Sequence, residues 1–303
     1  MNANWKADSK PLVARCQTQD RPRRGFTLTE LLVVLATLAI LAALMLPALA
    51  GTQPRSKAFQ CLNNMRQLAL AWTLYASENN ERLAINSDPA EHNGSAFFPT
   101  PNGSSPSWVI GVLSWGIAPA NTNTAYLVND ADSLLGGYLC RNYEVFACPA
   151  AAYFLSPFQR SIGDWDHRVR TVSMDAAVGA GYKYPVANFG WDPAQWYVAV
   201  KTTDLNNPGP SQTFIFSDEH PDSIDDEVMY TPSYPATTLA ELPGNQHEGA
   251  AGVTFADGHV EMHKWTGAVL PNRPVEYAVQ QRLACSATDP DMVWLAQHTP
   301  QAQ

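Results

Sequence analysis

The sequence predicts an α+β fold in which a long N-terminal helix packs on an antiparallel β-sheet with loop-rich insertions. Three observations support this prediction. An uncharged apolar run extends from Leu31 to Leu46, helical periodicity continues beyond it, and short strand-like segments lie between proline-rich stretches further on. Residues 81–303 remain after the helix and are enough for one sizeable hydrophobic core.

The first helical half is an apolar segment, residues 28–50. At 1.5 Å per residue, about 20 apolar residues span the roughly 30 Å hydrocarbon core of a bilayer. Leu31 to Leu46 carries no charge, and Pro47 is the helix breaker of the segment. Glu30 stands at its start, where a charge is costly at membrane depth, and it is therefore a functional-site hypothesis. We expect a single membrane span here.

Charge is distributed unevenly along the chain. The 303 residues carry a net charge of −9, yet residues 1–25 hold six basic and two acidic side chains. Basic residues before a membrane span mark the cytoplasmic side. We therefore expect residues 1–25 in the cytoplasm and residues 81–303 on the other side of the membrane. The acidic remainder argues against nucleic acid as a partner.

The second helical half, up to about residue 80, has one apolar face. Apolar residues recur at three- and four-residue steps from Ala58 to Tyr75, and Met65, Leu68 and Trp72 belong to this stripe. Such a stripe must be buried, and we expect it to pack on the sheet.

Two segments near the C-terminus predict strands of that sheet. Thr213–Phe216 is an apolar strand that opens into residues 217–227, which hold six carboxylates. Residues 252–263 predict a hairpin around Asp257-Gly258, the preferred pair for a two-residue type I′ turn. This turn sets Phe255 opposite Val260. The core face would then be formed by Val253, Phe255, Val260 and Met262.

The N-terminal residues Gly-Phe-Thr-Leu-Thr-Glu, followed by the uncharged run, resemble the prepilin signature of type IV pilins and type II secretion pseudopilins. The resemblance implies a pilin-like fold and a leader, residues 1–25, that a prepilin peptidase removes after Gly25. It also implies that the membrane is the inner membrane and that residues 81–303 lie in the periplasm. The peptidase would methylate the new N-terminal amine of Phe26. Glu30 would pair with this amine of a neighbouring pilin-like subunit, and Pro47 matches a proline that kinks or melts the helix of many pilins.

The C-terminal part resembles the H-X9-DG domain of prepilin-like proteins of planctomycete and verrucomicrobial type. His247 is followed after nine residues by Asp257-Gly258, and the motif region extends over residues 247–265. Segments around Cys61 and Cys148 also fit this resemblance, from which we predict a Cys61–Cys148 disulfide. The spacing of the cysteines outside the leader does not itself choose among three possible full pairings, and without a CxxC pair we do not expect a thiolate zinc site.

Further candidate sites lie in the acidic segment and the hairpin. An oxygen-rich loop suits calcium, and we take Asp218, Glu219, Asp222 and Asp225 as the candidate ligands; no cofactor is otherwise indicated. The alternative is an exposed acidic loop. We also expect His247 to hold this loop through Asp218 or Glu219.

The sequence thus favours a structural subunit without catalytic residues, and two alternatives stay open. One is a membrane-anchored, metal-dependent hydrolase whose ligands would be His247, His259, Glu261 and His263. The other is a polysaccharide-binding module that would use the tryptophans at 108, 115, 165, 191 and 196.

Overall fold

The computed structural model describes residues 26–50, 52–86, 107–162, 165–179, 197–278 and 282–301. The leader with Gly25 lies outside these residues. So do residues 87–106 and 180–196, which hold part of each proline-rich stretch and include Trp191 and Trp196. The chain divides into two units, residues 1–50 and residues 51–303.

The described part of the first unit is one helix, α1 (Leu28–Ala50), which runs through Pro47. Its large apolar side chains between Leu28 and Leu41 are exposed. Within the described residues, no helix meets the length and hydropathy expected of a membrane span.

The second unit combines helices with a mixed β-sheet. Its helices are α2 (Thr52–Glu78), α3 (Ala125–Val128), α4 (Pro157–Ile162) and α5 (Pro290–His298). Its strands are β1 (Val172–Asp175), β2 (Phe214–Asp218), β3 (Val228–Met229), β4 (Thr238–Leu239), β5 (Ala250–Phe255), β6 (Val260–Lys264) and β7 (Leu283–Ala284). The main sheet has the order β3-β1-β2-β5-β6, and β4 pairs with β7.

The prediction of a purely antiparallel sheet is wrong, because β3 runs parallel to β1. β2 is antiparallel to β1 and lies on its other side. The connection between β2 and β3, residues 219–227, must therefore pass around the start of β1. This topology places the acidic segment against the chain that leads into β1.

The apolar stripe of α2 packs on the sheet as predicted. Met65, Leu68 and Trp72 are at most 2% exposed and share one core with Phe216. A second core on the other sheet face joins Phe214 and residues of α5. The sheet is therefore covered on both faces, and every residue of β5 is buried.

The predicted register of the β5–β6 hairpin is wrong by one residue. Val253 pairs with Glu261, and the turn contains three residues, 256–258, with Gly258 at φ +90°. The amides of Ala256 and Asp257 donate to the carbonyls of Thr213 and Pro210, which draws both residues out of the ladder. A shift of one residue exchanges the faces of β6. Val260 and Met262 pack towards α2, whereas Glu261 and His263 share a face with Val253 and Ala251.

Candidate functional site

The start of α1 forms a reciprocal cap. The Thr27 amide donates to Glu30 Oε2 at 2.9 Å, and the Thr27 hydroxyl donates to the same oxygen at 2.7 Å. The Glu30 amide donates to Thr27 Oγ1 at 3.3 Å. This is a capping box, which the spacing Thr-x-x-Glu could have revealed in the sequence. Phe26, which precedes the capping residue Thr27, is 82% exposed.

A second group of functional side chains lies between α2 and the sheet. Cys61 Sγ donates to Asp218 Oδ2 at 2.7 Å, and Cys148 Sγ lies 3.1 Å from His247 Nε2. One potential ligand atom from each of these four side chains lies within 4.8 Å of the others. We call this group the thiol cluster: Cys61, Cys148, Asp218 and His247.

Four separate elements position the thiol cluster. Cys61 comes from the buried stripe of α2, and Asp218 ends β2. Cys148 follows a 3₁₀ helix at Tyr143–Phe146, and the Asn142 side chain accepts from the Glu144 amide at the start of this helix. His247 lies in the turn before β5 and is the half-buried member of the cluster, whereas the other three are at most 2% exposed.

Backbone amides and one hydroxyl support the cluster from outside. The Ala150 amide donates to Cys148 Sγ at 3.4 Å, and the Gly252 amide donates to Asp218 Oδ2 at 3.4 Å. The Thr171 hydroxyl lies between two members, since it accepts from the Cys148 amide and donates to Asp218 Oδ1. A Cβ on Gly252 would lie 2.8 Å from Cys61 Sγ, so only glycine leaves this space free.

Burial pushes the members of the cluster towards their neutral forms. It raises the pKa of the Asp218 carboxyl to about 6 and also raises the pKa of the Cys148 thiol. The contact with Cys148, together with burial, raises the pKa of the Cys61 thiol. Burial lowers the pKa of His247, which favours the neutral imidazole that binds metals.

The geometry bears on two expectations from the sequence. The structure brings Cys61 and Cys148 together but carries both as free thiols, so their disulfide stays a prediction. His247 places Nε2 against Cys148 Sγ, while Asp218 accepts from Cys61. We expected His247 to hold the acidic segment through a direct bond to a carboxylate. The structure does bring His247 close to Asp218, but the contact of His247 Nε2 is with the Cys148 thiol.

The acidic segment, residues 217–227, is buried except at Asp225 and Asp226. Asp218, Glu219 and Asp222 are at most 4% exposed. The guanidinium of Arg170 donates to the carbonyl of Asp226, and that of Arg168 donates to the carbonyl of Pro221. Both arginines are fully buried because the segment wraps around the chain leading into β1.

The four candidate calcium ligands have separate surroundings. Asp218 belongs to the thiol cluster, and Glu219 accepts from the hydroxyls of Ser173 and Ser223. Asp222 accepts from the amides of Glu276 and Ala278. Asp225 lies with Asp226 and Glu241 in a partly exposed acidic group. The calcium assignment therefore has no common centre among the described side chains.

The histidines proposed as hydrolase ligands also separate. His247 belongs to the thiol cluster, whereas the His263 ring stacks on Trp294 with centroids 3.9 Å apart. The His259 ring stacks on Phe255 at 4.2 Å. Within the described residues, neither His259 nor His263 belongs to a group of three or more converging ligand atoms.

The other two residues of the H-X9-DG pattern shape the hairpin turn. Asp257 Oδ1 accepts from the amide and the Nδ1 of His259, at 3.0 and 2.5 Å. Gly258 supplies the positive φ that the turn needs. His247 thus belongs to the thiol cluster, whereas Asp257 and Gly258 shape the turn between β5 and β6.

Of the tryptophans considered for a sugar surface, Trp108 is fully buried in the core. Trp115 is half-buried and lies under the Arg168 guanidinium, 4.5 Å from its ring centroid. Trp165 is half-buried as well.

Comparison with protein families matches residues 20–46 to the family described as "Prokaryotic N-terminal methylation motif". The match includes Gly25, Phe26 and Glu30. Searches of curated proteins and of solved structures found no match. The chain therefore carries a prepilin-type methylation motif, which implies processing by a prepilin peptidase and suggests a prepilin-like, membrane-anchored or filament subunit.

Proposed function

We propose that this protein is a pilin-like structural subunit, of the pseudopilin or type IV pilus kind, that acts by assembly and not by catalysis. The methylation motif at residues 20–46 carries this proposal. The peptidase cleaves after Gly25 and methylates Phe26; residues 28–50 anchor the chain in the inner membrane. The C-terminal unit, which we assign to the H-X9-DG kind, lies in the periplasm.

The exposure of α1 supports assembly through this helix. Its large apolar side chains are 45–75% exposed from Leu28 to Leu41 and lie on all sides of the helix. A helix that is apolar all round requires lipid or other helices around it. Neighbouring copies of α1 would supply that environment in a filament.

Glu30 gives the assembly its register. After cleavage, the Phe26 amine carries a positive charge that would enter the same apolar environment. A buried charge is costly alone but tolerated when paired. Glu30 of one subunit therefore pairs with the amine of the next.

Two variants test the proposal in the full chain. Gly25→Phe should leave an uncleaved precursor, because the peptidase requires a small residue at the cleavage point. Glu30→Ala should yield a mature N-methylated chain that does not enter the sheared filament fraction. Thr37→Ala is the matched control, since its exposed hydroxyl bonds to the Val34 carbonyl within α1 and carries no charge.

Mass spectrometry of the N-terminus and immunodetection in the filament fraction are the readouts. A mature-sized band from Gly25→Phe would contradict the processing step. Normal incorporation of Glu30→Ala would contradict the pairing.

A further inference from the structure

We propose that the thiol cluster binds one structural zinc ion. The inference goes beyond the proposed function, because it concerns a metal site in the C-terminal unit and does not depend on filament assembly. It replaces the predicted Cys61–Cys148 disulfide, because zinc binds both sulfurs as thiolates.

The donor atoms of the four side chains already lie close together. The cluster consists of two contacting pairs: Cys61 Sγ lies 2.7 Å from Asp218 Oδ2, and Cys148 Sγ lies 3.1 Å from His247 Nε2. All four donor atoms lie within 4.8 Å of one another. A tetrahedral zinc ion with bonds of about 2.0–2.3 Å requires donor atoms about 3.3–3.8 Å apart, so small side-chain shifts would close the shell.

The donor set selects zinc among common cations. Two sulfur donors disfavour calcium and magnesium, which prefer oxygen ligands. A neutral imidazole and a carboxylate, added to two thiolates, match the mixed N, O and S coordination of zinc. Four protein ligands leave no open position for water, which is typical of structural and not of catalytic sites.

The surroundings of the cluster also suit bound thiolates. The Ala150 amide points at Cys148 Sγ, and the Gly252 amide points at Asp218 Oδ2. Such outer hydrogen bonds orient ligands and are characteristic of metal sites. Gly252 keeps free the space beside Cys61 Sγ that a side chain would fill.

A zinc ion at this position would join α2 to the sheet and to the turn before β5. Cys61 is anchored in α2, Asp218 in β2 and His247 in the turn. The ion would also give the buried carboxylate a cationic partner, where the partners present are the neutral donors of Cys61, Thr171 and Gly252.

The test is the metal content of the full chain, purified in detergent through a tag without histidines. After incubation with zinc chloride and removal of loose metal, we expect about one zinc per chain for the wild type. The double variant Cys61→Ser/Cys148→Ser should hold less than about a tenth of that. The matched control is Cys140→Ser/Cys285→Ser, which removes two cysteines outside the cluster and should keep the zinc.

A second measurement keeps the test valid if the double serine variant does not fold. Cobalt exchanged into the wild-type chain should show a thiolate-to-cobalt charge-transfer band and the visible bands of a tetrahedral site. His247→Ala should weaken zinc binding by more than the tenfold to hundredfold that loss of an outer-shell partner costs.

Three results would overturn the proposal. One is wild-type protein that binds no zinc, whether peptide mapping finds Cys61 and Cys148 joined in a disulfide or as free thiols. Another is zinc retained by a folded Cys61→Ser/Cys148→Ser chain. The third is cobalt bound without a thiolate charge-transfer band.

Discussion

The two long helices, α1 and α2, are adjacent in sequence but differ in the exposure of their apolar side chains. In α1, Leu35 is 54% exposed and Ile40 is 61% exposed. In α2, Met65 and Leu68 are at most 1% exposed because they pack on the sheet. Contacts with the sheet thus explain the apolar stripe of α2, whereas the exposed apolar residues of α1 from Leu28 to Leu41 require lipid or other helices around them.

Charged side chains also differ in burial between α1 and the C-terminal unit. Glu30 is exposed at the start of α1 and bonds only locally, to Thr27, in the contacts described above. Arg168 and Arg170 of the C-terminal unit are fully buried and bond to the acidic segment. Substitutions in the two regions should therefore change different properties: stability in the C-terminal unit, and assembly in α1.

The largest effect on stability should come from Arg170→Met. Arg170 donates to the carbonyls of Val172, Asp226 and Gly111. Methionine keeps the volume but leaves these buried acceptors and the acidic segment without the guanidinium. Removing one partner of a buried charge network typically costs about 3–5 kcal/mol. Urea unfolding of the full chain in detergent, followed by circular dichroism, measures this loss.

Arg141→Met is the matched control, because the Arg141 side chain is 64% exposed and pairs with Asp130 on the surface. Such a pair contributes about 0.2–1 kcal/mol. An Arg170→Met chain as stable as the control would contradict the role assigned to the buried arginine.

The second prediction compares leucine-to-alanine substitutions in the two helices. Leu68→Ala should lower the free energy of unfolding by about 2–5 kcal/mol, because it leaves a cavity in the core. Leu35→Ala should leave this free energy unchanged but reduce recovery in the filament fraction. Leu70→Ala, in α2 but 60% exposed, should change neither property. If Leu35→Ala destabilised the C-terminal unit as Leu68→Ala does, the conclusion that α1 affects assembly and not stability would be wrong.

The sequence predicted those elements whose structure depends on neighbouring residues. The stripe of α2 follows from the helical period, and β2 follows from a run of apolar residues. The predicted register of the β5–β6 hairpin was wrong, because the amides of Ala256 and Asp257 donate to carbonyls outside the hairpin. These carbonyls belong to Thr213 and Pro210, which lie far from the turn in sequence. No hairpin rule contains that information.

The family resemblance brought Cys61 and Cys148 together, but spacing rules did not predict the thiol cluster, for a related reason. The contacts that build the thiol cluster join residues 157 and 99 positions apart. Absence of a CxxC pair therefore said nothing about two cysteines brought together by the fold. The acidic segment likewise finds its arginine partners 53 and 56 positions earlier. A count of carboxylates within the segment could not reveal them.

A smaller, pH-dependent effect is expected at Asp175. This residue is fully buried in β1, and burial raises its pKa from 3.8 to about 7. Between about pH 4 and pH 7 the folded chain keeps a proton that the unfolded chain releases, so this group makes the free energy of unfolding fall as pH rises. Asp175→Asn should remove that decline, and the stability difference from wild type should grow by about 2–4 kcal/mol across the window.

The exposed Asp130→Asn is the control, and its stability should follow the wild-type curve. Urea unfolding at several pH values provides both curves. A constant difference between Asp175→Asn and wild type would show that Asp175 does not titrate in this window.

The smallest effect on stability, and the one that separates two roles of Glu30, is expected at the cap of α1. Thr27→Val removes the hydroxyl that donates to Glu30 Oε2 and accepts from the Glu30 amide. Loss of such a cap costs about 1 kcal/mol, so the first turn of α1 should exchange its amide hydrogens faster. Glu30→Gln keeps a side-chain oxygen for the cap but removes the charge. If pairing with the Phe26 amine directs assembly, Glu30→Gln should abolish filament incorporation and Thr27→Val should not. Equal loss in both variants would mean that the capping box, and not the charge, is what assembly requires of Glu30.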